Sequence, residues 1–504
     1  MADEHARSSS TAVADHGHAD RLSTIDEAYL DMETPTLHLH VGSVFVFDPP
    51  AEGAFDHASF LELVRARLHQ VPRYRQKLIE PPLSLGNPMW VDDPDFDLSY
   101  HVRHAALPQP GTIAQLMEYA GRILSRQLDR TKPLWELYVI EGLEQGRIAL
   151  LSKSHQVMID GLDGIDIATV ILDLSPAASA STDAAHAWIP GAVPTASRMA
   201  RDALRELVAS PGHLIGSSRR LAARPAATAK RLFDVGRGVA SFARTNLLRP
   251  APRSLLNQAP GQHRRLAIQR IALGDVKRIK NVFATTVNDV VLALVSDSLG
   301  RYLRSRGART DHLWLRVMVP VSTLAGADDH AMGSEVVAVF VDVPVFEMDP
   351  VERLRVCNEA MREVKSSHHA VGAGFLVGLT DFAPPTIHAM ASRVAVRSRL
   401  FNVLITNVPG PQVPVYCLGA RLLGSFPFVP LAANQAFAVG LTSIDGWMNF
   451  GFTADYDALP DVERITGYLV TSLSELLACA EAAELRGERV ASASGAAHGP
   501  TSTS

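Results

Sequence analysis

The sequence predicts a mixed α/β protein of two domains, and three observations lead there. The 504 residues exceed what one hydrophobic core organises, so two domains of roughly 200 residues each are expected. Segments of helical period are interspersed with strand-like segments along most of the chain. A strongly basic, proline-dotted stretch from Arg198 to Arg253 lies between the two regions that carry those patterns.

Each element has its own signature. From Thr112 to Leu128, residues Ile113, Leu116, Met117, Ala120, Ile123 and Leu124 share one face at helical spacing. Leu134 to Ile140 is a mixed apolar run, and Arg147 to Lys153 reads as a buried strand. Thr286 to Leu303 predicts a second amphipathic helix, with Val287, Val290, Val291, Leu294, Val295, Leu299 and Tyr302 in register. Further strands are expected at Leu315–Val319, Val336–Val345, Phe401–Thr406, Ala436–Thr442 and Met448–Thr453. The polar start, residues 1–21, and the Ala/Ser/Gly-rich tail, 481–504, have the composition of disordered ends.

Composition narrows the function classes. A formal charge of -5 gives no general case for nucleic acid. Cys357, Cys417 and Cys479 lie far apart without CxxC spacing, which argues against a disulfide scaffold and against a zinc site. The first twenty residues lack the apolar core of a signal peptide, and no run of about 18 apolar residues suggests a spanning helix. A cytoplasmic location is expected. Between Arg198 and Arg253, twelve basic residues face three acidic ones, a net +9 against -14 elsewhere. Interspersed apolar residues suit a segment lying on an anionic lipid surface, peripherally at a membrane or lipid droplet. A solvated connector explains the same composition, and nothing beside the charge supports nucleic acid binding.

The chemistry concentrates in SHQVMIDG, Ser154 to Gly161, at a strand-to-helix transition. Acyl transfer to a hydroxyl needs a base for the alcohol's proton, ideally histidine. An aspartate a few residues on fixes the loop, and Gly161 permits a tight turn. The segment resembles the HHxxxDG motif of the CoA-dependent acyltransferase superfamily. Other landmarks follow in order: LSTIDEAYLDME with LHVG, WVDDPDFDLSYHVRH, PLWE (Pro133, Leu134, Trp135, Glu136), VNDVVLALVSDSL with Asn288 and Asp289, MVPVS, DPVERL, and TNVPGP with Asn407, Pro409 and Gly410. Together they are similar to the bacterial wax ester synthase/diacylglycerol acyltransferase family, from about Leu22 to Leu477.

The resemblance implies two chloramphenicol-acetyltransferase-like domains with mixed sheets and a channel between them. The first would span 22–174 and the second 265–480, with 175–264 as a basic helical connector. It implies transfer of a long-chain acyl group from acyl-CoA to diacylglycerol or a fatty alcohol, with acyl-CoA as co-substrate and neither cofactor nor metal. His155, Gln156, Asp160 and Gly161 would form the reacting centre. Pro133, Leu134, Trp135, Asn288, Asp289, Asn407, Pro409 and Gly410 would line or support the channel. Helix capping explains Asn288–Asp289 equally well, and Trp135 and Trp90 equally fit a core role.

The chain departs from the motif at one position. The family's second histidine lies four residues before the aspartate, and four before Asp160 stands Gln156. Glutamine cannot accept a proton at useful pH, although it can orient a hydroxyl or stabilise an oxyanion. Neighbours in a strand point to opposite faces, so His155 is expected to face away from Gln156 unless the strand end is irregular. Three outcomes stay open: reduced turnover, His155 acting as base, or a silent lipid-binding homologue. Nothing in the sequence places His38, His40, His101 or His104 beside Asp160.

Overall fold

The computed structural model describes residues 21–50, 55–82, 87–158, 167–177, 188–195, 197–199, 201, 250–323, 335–366 and 399–487. Asp160, Gly161 and all but a few residues of the basic stretch lie outside them. The first part of the chain carries helices α1 (Thr24–Met32), α2 (His57–Arg67), α3 (Leu98–His101), α4 (Ile113–Leu124) and α5 (Ile167–Ile171). Its strands are β1 (His40–Phe47), β2 (Gln76–Ile79), β3 (Met89–Asp92), β4 (Val102–Ala106), β5 (Trp135–Glu141) and β6 (Ile148–His155). The second part adds strands β7 (Arg264–Ala272), β8 (Trp314–Thr323), β9 (Glu335–Pro344), β10 (Val403–Pro409), β11 (Tyr416–Cys417), β12 (Ala420–Phe428), β13 (Phe437–Ile444) and β14 (Trp447–Asp455). Its helices are α6 (Leu273–Val282), α7 (Val287–Ser305), α8 (Pro350–Ser366) and α9 (Glu463–Leu485).

Two six-stranded mixed sheets result. One runs β11-β12-β1-β6-β5-β4 and the other β7-β14-β13-β10-β8-β9. The first therefore takes two strands from the far end of the sequence, because β12 pairs antiparallel with β1. A division at 22–174 and 265–480 misses this exchange. Residues 416–428 complete the first sheet and place Val415, Cys417, Ala420 and Leu422 in its core. The physical reason is the open edge of β1: its unpaired N–H and C=O groups need a partner, and β12 supplies it. The other limit also moves, since α9 continues to Leu485, five residues past 480.

Amphipathic spacing decides where the helices lie. Thr112 caps α4 and forms a reciprocal capping box with Gln115, an arrangement whose cap contributes about 1 kcal/mol. The predicted face of α4 packs Leu116, Met117, Ala120, Ile123 and Leu124 on the first sheet. Each large one contributes roughly 1.5–3 kcal/mol of burial. The other side of α4 meets the second sheet's edge strand, where Gly121 lets the Arg264 carbonyl approach; a Cβ there would stand 2.8 Å from it. Thus α4 and Leu266 share one core between the halves. Among the described residues, no single helix is long and apolar enough to cross a membrane.

The sheets also meet directly. A Cβ at Gly451 would lie 2.0 Å from the Pro427 carbonyl oxygen, and one at Gly440 would lie 2.6 Å from it. The backbone of β12 therefore crosses β13 and β14 where only glycine fits. Gly451→Ala is expected to destabilise the protein by about 1–3 kcal/mol through forced backbone displacement. The shift of the urea midpoint at unchanged slope measures it.

Candidate active site

Strand β6 ends at His155, and Gln156 to Met158 form one 3-10 turn. The strict alternation of a strand stops at the motif for that reason. Ala149 and Leu151 enter the core shared with α4, and period two puts Lys153 and His155 on the same face. His155 thus points to the side on which the two halves meet. Its backbone N–H donates to the Leu134 carbonyl at 3.0 Å, and the Gln156 N–H donates to the Leu39 carbonyl at 3.0 Å.

The His155 ring is 1% exposed with the rest of the residue. Its Nδ1 accepts the Val157 backbone N–H at 3.3 Å, while Nε2 has no hydrogen-bond partner. A nitrogen that accepts a backbone N–H carries no proton, so the neutral ring holds its hydrogen on Nε2. In this arrangement His155 offers a donor rather than a base. Burial, with Arg130 nearby, pushes its pKa down to about 4, so it is neutral at pH 7.

Two further histidines join it. His40 is the register partner of His155 across β1 and β6. Their rings meet edge to face at 6.0 Å, and His38 stacks on His40 at 5.5 Å. Both ring nitrogens of His38 and of His40 are buried and make no hydrogen bond of ordinary geometry, with the Thr34 and Ser125 backbone near His38 and the Leu124 backbone near His40. The Glu33 carboxylate stands 3.7 Å from His40 Nε2 and is itself paired with Arg130. Burial, then Arg264 and Lys153, pushes His38 down to about 4, and burial holds His40 well below the usual imidazole range. Between them Leu39 adopts φ 47°, a conformation that side chains other than glycine rarely take.

His40 lies beside His155, and His38 joins the group by stacking on His40; Asp160 lies outside the described residues. His-Leu-His was visible in the sequence, but β1 begins only at His40 and Leu39 is left-handed, so strand alternation does not place His38. The pairing of β1 with β6 that brings them to His155 is a tertiary event. His101 takes a core position instead, with its Nδ1 2.8 Å from the Trp135 carbonyl oxygen and its ring stacked at 4.5 Å on the indole. His104 is solvent-facing and lies 3.1 Å from Glu141.

The supporting residues fall into two groups. Pro133 and Leu134 are buried beside the motif strand, and Leu134 holds His155 through its carbonyl. Trp135 is fully buried and donates Nε1–H to the Tyr74 carbonyl at 2.7 Å; it is a core residue on the opposite face of the sheet. In the second half Asn407 donates to the Asn288 side-chain oxygen at 2.8 Å. Asp289 reciprocates the Thr286 cap of α7 and also accepts from Asn358 at 2.7 Å. Pro409 is exposed, and Gly410 donates its N–H to Ser443 at 2.9 Å as the chain leaves β10. Among the described residues, no group of three His, Cys, Asp or Glu side chains is arranged to hold a metal ion.

Two mixed α/β halves, joined by β11 and β12 that the second half lends to the first sheet and with the histidine motif at their seam, define the class of the CoA-dependent acyltransferases. Residues 22–291 match the wax ester synthase/diacylglycerol acyltransferase catalytic domain, and residues 332–477 match the WS/DGAT C-terminal domain. The chain belongs to this family. A putative diacylglycerol O-acyltransferase of Mycobacterium tuberculosis is 33% identical over 459 residues, covering 90% of this chain and 99% of that protein. A probable diacylglycerol O-acyltransferase of the same species is 31% identical over 461 residues, covering 91% and 96% respectively. The solved wax ester synthase/diacylglycerol acyltransferase of Marinobacter aquaeolei VT8 superposes with a TM-score of 0.64 at 28% identity. That alignment covers 92% of this chain and all of that structure.

Proposed function

We infer that the protein transfers an acyl group from acyl-CoA to a hydroxyl, with diacylglycerol giving triacylglycerol and a fatty alcohol giving a wax ester. The observation that carries this reading is the family match over both halves of the chain, with the motif strand ending where the halves meet. Long-chain acyl groups are the donors we propose, since the family motif and its ordered landmarks accompany a seam lined by Leu124, Phe428 and Leu431. His155, with its Nε2 hydrogen, serves as a donor to the developing oxyanion, and Gln156 orients the acceptor. The family motif gives Asp160 and Gly161, which lie outside the described residues, the role of fixing the loop after the base position.

Gln156 favours a second reading, a homologue that binds acyl-CoA or lipid without turnover. Thiol release from palmitoyl-CoA, with diacylglycerol or hexadecanol as acceptor, separates the two. The native chain is expected to release CoA in an acceptor-dependent manner. A native chain without turnover that gains it on Gln156→His would establish the silent reading. His155→Ala is expected to lower turnover by about 10²–10³-fold, the typical effect of removing one oxyanion donor.

A further inference from the structure

Within the stretch Ser154 to Met158, Gln156 alone is partly open to solvent, while the four residues around it are buried. A side chain that orients an acceptor from such a place is only as well aimed as its backbone is held. The single 3-10 turn from Gln156 to Met158 gives a weak hold of its own, because its hydrogen-bond geometry is poor. The Gln156 N–H donates instead to the Leu39 carbonyl at 3.0 Å. The conformation at Leu39 therefore sets where the motif turn begins.

Leu39 has φ 47°, which a leucine holds only where its surroundings over-determine it. On its C-terminal side the chain is fixed by the pairing of His40 with His155. On its N-terminal side lies a tight turn, closed by reciprocal backbone hydrogen bonds between Thr34 and Leu37 at 2.8 and 3.1 Å. That turn is tied to the second half of the chain. Arg264, at the start of β7, donates from Nη2 to the Thr36 carbonyl. Its Nη1 donates to the Gly261 and His263 carbonyls at 2.7 and 3.1 Å. Gly261 in turn donates its N–H to the Asp455 carboxylate at 2.6 Å. Arg264 is buried, and burying a cation is costly. Its rigid planar fork of donors suits one task, holding two backbone segments at a set distance.

We propose that Arg264 is a positioning residue for acyl transfer: from the second half it clamps the turn at Thr36, and through Leu39 it sets the place of Gln156. The role rests on the acyltransferase reading above. Correct docking of β7 on the first half and correct seating of the motif then go together, without Arg264 touching either substrate.

The test uses the full chain with palmitoyl-CoA and dioctanoylglycerol. Arg264→Met removes the three side-chain hydrogen bonds and is expected to lower kcat by about 10²-fold, the scale of a misplacement of about 1 Å. KM for palmitoyl-CoA should stay near native. Arg264→Lys keeps the charge but loses the fork, and should show the same pattern with a loss of about tenfold. Ser125→Ala controls for a loosened junction: Ser125 Oγ accepts the Arg264 backbone N–H at 2.8 Å, and its loss leaves the Thr36 contact intact. Its kcat should stay near native. In a Gln156→Ala background, Arg264→Met should cost little further, because the two residues act in series. Amide hydrogen exchange reads the link without turnover. In both Arg264 variants the Gln156 N–H should exchange faster, while the His155 N–H, held by the Leu134 carbonyl within the first half, should not. Additive losses in the double variant, or a loss in Ser125→Ala equal to that in Arg264→Met, overturn the proposal and leave acyl transfer standing. So does exchange that changes equally at both amides or at neither. Absence of turnover in the native chain overturns the acyltransferase reading, and the role of Arg264 with it.

Discussion

Glu136→Ala is expected to destabilise the protein by about 3–5 kcal/mol, the effect of leaving a buried charge unpaired. Glu136 lies on β5 directly opposite Lys153 of the motif strand, two residues before His155. Lys153 is 1% exposed, and its Nζ donates to the Arg126 carbonyl at 2.5 Å. Its nearest counter-charge is the Glu136 carboxylate at 3.8 Å. The same carboxylate receives Arg103 at 2.9 Å and the Tyr138 hydroxyl at 2.9 Å. Burial already lowers the Lys153 pKa to about 8, and Glu136 acts against that fall. Without Glu136 the folded-state pKa drops further below the unfolded value. Between those two values the unfolded chain binds the extra proton, so stability rises with pH. The defect should therefore be smaller at pH 9 than at pH 7 in urea titrations. The pair Glu136→Met with Lys153→Met removes both buried groups and should recover most of the loss. Equal defects at the two pH values would show that Lys153 does not depend on Glu136.

Much of the fold was legible because the decisive signals were local. Thr112 opens α4 and Thr286 opens α7 where the apolar period begins, and the capping boxes sit there. The run from Arg147 to Lys153 became β6, which starts one residue later and ends two residues later, because the strand continues through Ser154 to the motif histidine. Strand β12 was not legible. Gly424 and Pro427 weaken its pattern, and its pairing with β1 joins residues nearly four hundred positions apart, beyond any local signal. The candidate site divides along the same line. The motif and its glutamine could be read directly, as could the capping role of Asp289. The direction in which Gln156 turns relative to His155 could not, because the 3-10 turn at Gln156 breaks the alternation that would have decided it. Nor could its two histidine neighbours, which reach it only through the register of β1 on β6.

That cluster should make the protein sensitive to mild acid. His38 and His155 have folded-state pKa values of about 4, against an ordinary 6.5, and His40 is displaced in the same direction. Below 6.5 the unfolded chain takes up protons that the folded chain refuses, so stability is fully present above 6.5 and is lost as pH falls toward 4. Each such histidine contributes a slope approaching 1.4 kcal/mol per pH unit. Between pH 6.5 and 5, His38 and His155 together remove on the order of 3 kcal/mol, and His40 adds to it. The groups facing the cluster set the sign: burial, Lys153, Arg264 and Arg130 oppose protonation and outweigh Glu33 and the backbone groups of Thr34, Leu124 and Ser125, which favour it. Burial raises Glu33 and Asp26, whose protonation acts the other way. The doubly substituted chain His38→Gln, His155→Gln isolates the histidine contribution. Its stability, measured by urea titration from pH 7 to 5, should fall less steeply than that of the native chain by close to two protons. An unchanged slope would mean that these rings are not held neutral by the fold, and the donor assigned to His155 would lose its physical basis.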